Sequence, residues 1–101
     1  MELIEQFKQY MSEGKGLEQQ AYKDEIKISC AKNDDEKLNA CISVLDKAMK
    51  AEQKFYDARS IASELNNKHL YEKTSRALGR CAAQKSSVLA VLNYINKKST
   101  M

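Results

Sequence analysis

The chain has 101 residues, no proline, three glycines, 43% hydrophobic and 31% charged residues, which excludes a wholly disordered chain and leaves room for one small core only. With helix breakers this scarce and Ala, Leu, Lys, Glu and Gln abundant, the composition predicts an all-α fold. The formal net charge of +3 is unevenly spread: residues 1–35 carry eight acids and five bases, whereas residues 66–101 carry one acid and seven bases. Such an asymmetry either attracts an anionic partner or complements the acidic first third within the molecule.

No apolar run approaches the about 20 residues of a membrane span, and the start Met1-Glu2-Leu3-Ile4-Glu5 lacks the basic-then-apolar order of a signal peptide. No membrane partner is therefore expected, and the expected location is cytoplasmic. Cys30, Cys41 and Cys81 are odd in number and widely spaced. They are expected to be reduced, mostly buried thiols without zinc or redox chemistry.

In chain order, Leu3, Ile4, Phe7, Tyr10 and Met11 recur at helical intervals and predict a short amphipathic helix over residues 2–12. Gly14-Lys15-Gly16 then predicts a turn or hinge. A second helix is expected over 17–33, with two apolar stripes, Leu17, Ala21, Ile28 and Ala31 on one side and Tyr22, Ile26 and Cys30 on nearly the other. Two stripes imply a helix sandwiched between neighbours. The competing reading is a short strand at Glu25 to Cys30, where Ile26, Ile28 and Cys30 alternate with polar residues.

Asn33-Asp34-Asp35-Glu36 reads as a capped helix start, opening a long helix over 35–66. Its first seam is Leu38, Cys41, Ile42, Leu45, Ala48 and Met49, extended by Phe55 and Tyr56. Ala58, Ile61, Ala62 and Leu65 then rotate to another side, which predicts a change of neighbours or a bend near Asp57 to Ser60. Asn66-Asn67-Lys68 closes the helix, since Asn tolerates left-handed backbone.

The last helix, expected over 69–98, carries the longest single register: Tyr71, Thr74, Leu78, Cys81, Lys85, Val88, Leu92 and Ile95. Lys85 on this seam is expected to lay its stem on apolar surface and meet an acid such as Asp46 or Glu52. The short link makes the two long helices antiparallel neighbours. The expected architecture is a small antiparallel bundle of three to four helices built on a long αα-hairpin, forming one domain over residues 1–101.

No catalytic constellation, phosphate loop or metal motif is present in the sequence, and no cofactor is expected. His69, the one histidine, is read as a capping or surface residue. Lys73, Arg76 and Arg80 fall on the side opposite Tyr71 and Leu78 and form a candidate anion-binding stripe, because guanidinium forks suit phosphate; a solvated helix face is the bland alternative. Beyond Gln84 the last helix is apolar nearly all round, with Val91 and Tyr94 outside, so Tyr22, Val91, Tyr94 and Ile95 form a candidate partner or dimer interface. The expected function is therefore non-catalytic: helix-face contacts with another protein, as adaptor, chaperone or inhibitor, together with coiled-coil-like self-association as a homodimer. The alternative is an anion-binding module that holds nucleic acid or a nucleotide on the basic face.

Overall fold

In the computed structural model, which describes residues 2–99, the chain is all-helical. Three helices form it: α1 (Leu3–Cys30), α2 (Asp34–Glu64) and α3 (Lys68–Ser99). Sequence and structure agree closely at both links. Asn33 Oδ1 accepts from the Glu36 backbone N–H at 2.9 Å, and Glu36 Oε2 accepts from the Lys32 N–H at 2.9 Å, so the start of α2 is held from both sides of its cap. At the other link Asn66 adopts the left-handed backbone, with φ 55°, and Asn67 Oδ1 accepts from the Leu70 N–H at 3.1 Å.

The first third departs from expectation. No turn interrupts Gly14-Lys15-Gly16; α1 runs through it unbroken and ends at Cys30, short of residue 33. The strand alternative at Glu25 to Cys30 is likewise replaced by helix. Gly14 serves packing instead of turning. It is buried, and a Cβ built on it would stand 2.6 Å from Cε1 and 2.9 Å from Cζ of Phe55, whose side chain is fully buried. The absent side chain is what lets α1 lie this close to α2.

Ion pairs fix the directions. Glu13 meets Lys54 at 2.8 Å, and Asp24 meets Ser43 and Lys47, so α1 and α2 are antiparallel. Glu52 meets Lys85 at 2.9 Å and Asp34 lies 3.7 Å from Lys98, so α2 and α3 are antiparallel. The outer helices α1 and α3 therefore run in the same direction. Both pack along α2, and they meet one another mainly through side chains.

The core is built largely from alanine. Ala21, Ala40, Ala48, Ala51, Ala58, Ala62 and Ala77 are all buried, and small side chains bring helix axes close. Larger groups gather in two clusters. Phe7, Met11, Phe55, Ile61, Leu78 and Cys81 occupy one end, and Cys41, Val44 and Val88 with Ile28, Leu45, Val91 and Leu92 the other. Between them lies a polar belt, Glu18 with Arg80, Glu25 with Gln84 and Glu52 with Lys85. Extents of 53 × 19 × 15 Å make a rod. Its accessible surface of 6599 Å² exceeds the about 5,800 Å² typical of a compact monomer of this length.

The rod has too few neighbours for every apolar stripe. Ile42 and Met49, placed by periodicity in the seam of α2, are 53% and 60% exposed. The second stripe of α1 is also bare: Tyr22, Ile26 and Cys30 face solvent, so α1 is not sandwiched. Helix α2 is continuous through Asp57 to Ser60, so no bend occurs there, and it keeps α1 and α3 as its neighbours along its length.

The glycines provide a paired test. Gly14→Ala should destabilise the fold, because overpacking costs about 1–3 kcal/mol against about 1 kcal/mol gained in helix propensity. Gly16→Ala, whose new methyl meets nothing within 4 Å, should stabilise it by about 0.5–1 kcal/mol. Urea denaturation midpoints of the two variants are expected to move in opposite directions.

Candidate binding surfaces

Three helices in a triangle leave three grooves, and the sequence has filled each with different chemistry. The groove between α1 and α2 is structural. Asp24, whose side chain is 6% exposed, accepts from Ser43 Oγ at 2.6 Å and from Lys47 Nζ, with Lys27 Nζ at 3.2 Å. The hydrogen bond from Lys47, then that from Ser43, holds its carboxyl down at about 2. An adjoining hollow of 460 Å³ is lined by Asp24, Lys27, Cys30, Glu36, Asn39 and Ser43, but Asp24 is already fully engaged by its neighbours.

The outer side of α2 carries an exposed apolar strip beside α3. Ile42, Met49 and Tyr56 recur every seven residues and share one side of α2, and they are 53%, 60% and 43% exposed. Leu89 lies one turn beyond Lys85, on the side of α3 that reaches Glu52, and is half-exposed. At the far end Arg59 lies between two rings, 5.0 Å from the centroid of Tyr56 and 5.4 Å from that of Tyr71. This cation–π pair ties α2 to α3 and holds both tyrosines in place. From Ile42 to Tyr56 the strip runs about 21 Å.

The third groove, between α1 and α3, gathers most of the residues singled out from sequence. Arg80 is not a free cation of the outer face: its Nε and a terminal nitrogen donate to the two oxygens of Glu18 at 2.9 and 3.2 Å. Part of the charge asymmetry is thus neutralised within the molecule. Lys73 lines a hollow of 540 Å³ with Lys8 and Lys15 of α1, over Phe7, Met11 and Gly16, with Ser12 and Gln19 at its side. Arg76 is exposed one turn away. Beyond the Glu18–Arg80 bridge the groove becomes apolar. Tyr22 and Tyr94 are exposed, whereas Val91 packs partly into the smaller core cluster and Ile95 is 6% exposed. Of the four interface residues expected from sequence, two are on the surface, one is partly covered and Ile95 is interior.

Lys8 and Lys15 carry no signal in the sequence. Their signal is tertiary: only the parallel pairing of α1 with α3 brings the lysines toward Lys73. Lys85 pairs with Glu52, one of the two acids expected for it. Burial pushes the Cys81 thiol up to about 11 and raises that of Cys41, so both stay protonated near neutrality and act as packing groups.

Among the described residues no three His, Cys, Asp or Glu side chains converge as a metal would need, and no helix is long and apolar enough to cross a membrane. Compared with protein-family models, curated proteins and solved structures, the chain matches none.

Asp24 gives these surfaces a pH signature. Its folded pKa lies below its unfolded value near 3.8, so its contribution is complete above that value and is lost as pH falls toward 2. The stability difference between the parent and Asp24→Asn, measured by urea denaturation, should be about 1–3 kcal/mol near neutrality and shrink between pH 4 and pH 2. A difference that stays constant over that interval would contradict the assignment.

Proposed function

We propose that this is a non-catalytic helical protein that works through protein–protein contacts, of adaptor, chaperone or inhibitor type, and that it self-associates in the cytoplasm. The α2–α3 pair, read as a long αα-hairpin with α1 laid against it, carries the working surface. Supporting this reading is the exposure of Ile42, Met49 and Tyr56 along one side of α2 and of Tyr71 and Leu89 on α3, with Arg59 joining Tyr56 to Tyr71. Full burial of such a side chain is worth about 1.5–3 kcal/mol, so a strip of five half-exposed ones favours a partner that covers it. The polar interruption at Glu52–Lys85 suits an interface, where charge fixes register while apolar groups supply affinity. A symmetric dimer, the commonest soluble oligomer, would use the strip twice.

The alternative reading, an anion-binding module for nucleic acid or a nucleotide, draws support from Lys8 and Lys15 standing beside Lys73, with Arg76 nearby. Arg80 contributes less to it because Glu18 occupies its guanidinium fork.

Sedimentation separates the readings. The parent protein should show concentration-dependent dimers that persist at high salt, and Met49→Glu with Leu89→Glu should convert it to monomer with its helical circular dichroism unchanged. If phosphate binding is the function, an oligonucleotide should bind the parent, weaken steeply with added salt, and fail to bind when Lys73 and Arg76 are changed to Glu.

A further inference from the structure

Helices α1 and α3 point the same way, meet through side chains rather than close backbone approach, and flank a groove with α2 beneath it. Its middle is bridged by Glu18 with Arg80 and by Glu25 with Gln84, whose amide lies 3.5 Å from the carboxylate. On one side of the bridge Lys8, Lys15 and Lys73 line the trough, and none of the three has an ion-pair partner among the described residues. On the other side stand Tyr22, Ile26 and Tyr94, which are 43%, 64% and 66% exposed. There Val91, Tyr94 and Ile28 line a hollow of 430 Å³ together with Lys37.

We propose that this trough seats an amphipathic helix of another protein, acidic where it lies over Lys8, Lys15 and Lys73 and apolar where it lies over Tyr22, Ile26 and Tyr94. The proposal rests on the protein-contact reading but uses a different face from the α2–α3 strip. Shape supports it, because two parallel helices packed over a third leave a groove along their length, and a fourth helix laid there completes a four-helix bundle. Charge supplies the orientation. Three unpaired lysines at one end call for carboxylates, and the apolar end rewards large aliphatic or aromatic side chains. A nucleic-acid backbone fits less well, because phosphates following the trough would pass from the lysines onto Glu18 and Glu25. A lone phosphate would leave the apolar half uncovered.

The test is fluorescence anisotropy of the intact protein with a labelled synthetic helical peptide carrying Glu at i, i+4 and i+7 in one half and Leu on the same face in the other. Saturable binding is expected. Lys8→Glu with Lys15→Glu and Lys73→Glu should weaken it at least about tenfold, as should Tyr94→Ser, and circular dichroism should show both variants folded, since these side chains are exposed. A second peptide with Lys in place of Glu should reverse the preference, binding the triple variant better than the parent. Met49→Glu with Leu89→Glu should leave peptide binding unchanged. No saturation by about 0.1 mM peptide, or binding indifferent to both variants, overturns the proposal; so does an oligonucleotide that displaces the peptide at equal concentration and ignores Tyr94→Ser. If the peptide fails while the parent still dimerises through the strip, the trough proposal falls and the protein-contact reading stands. If the peptide binds a protein that never dimerises, the trough proposal stands alone.

Discussion

The contact between Phe55 and Gly14 sets the distance on which the rest of the bundle depends. Phe55 is the largest fully buried side chain, and its ring lies where the side chain of any other residue at position 14 would have to go. Two helices can come this close only if one of them has no Cβ at the crossing. Once α1 is held against α2 at that level, Glu13 reaches Lys54 on one side of the crossing, and Asp24 reaches Ser43 and Lys47 farther along. Helix α3 takes the remaining side of α2. The outer helices are left to meet through long side chains such as Glu18 and Arg80.

That arrangement explains which residues were legible from sequence. In α3 a single seam points at the core, and Leu78, Cys81, Val88 and Ile95 are buried as their spacing requires. Phe7 and Met11 in α1, and Cys41, Phe55 and Ile61 in α2, follow the same rule. The cap at Asn33 and the left-handed turn at Asn66 were legible because each is a local matter of one residue's own preference, whereas Asn67, not His69, caps α3. Gly14 was misread for the opposite reason. Two glycines in three residues satisfy the local rule for a turn, and only a residue 41 positions away shows that one of them is a site of close approach.

The binding surfaces were legible only in part. Periodicity marks Ile42 and Met49 as apolar but does not reveal whether a neighbour covers them; α2 has two neighbours, and the strip lies outside both. Tyr22 and Tyr94 were recognisable because an aromatic ring on the outer side of a helix is conspicuous in one dimension. Lys8 and Lys15 are ordinary surface lysines until α3 runs beside α1 in the same direction. Arg80 looked like a free cation because Glu18 is distant in sequence.

The belt of Glu18, Arg80, Gln84, Glu52 and Lys85 divides the apolar interior into two unequal parts. Apolar burial is what couples distant turns of a bundle, so a polar layer across the middle weakens the coupling between its ends. The end built on Phe7, Phe55 and Ile61 holds the larger cluster; the end built on Cys41, Val44 and Val88 holds the smaller. Backbone amides near the C-termini of α1 and α3 should therefore exchange with deuterium through partial openings that leave the first half folded. The bundle would then loosen from one end, and the segment that loosens carries Tyr22, Ile26 and Tyr94, so those side chains could adjust to a partner without the Phe55–Gly14 crossing coming apart.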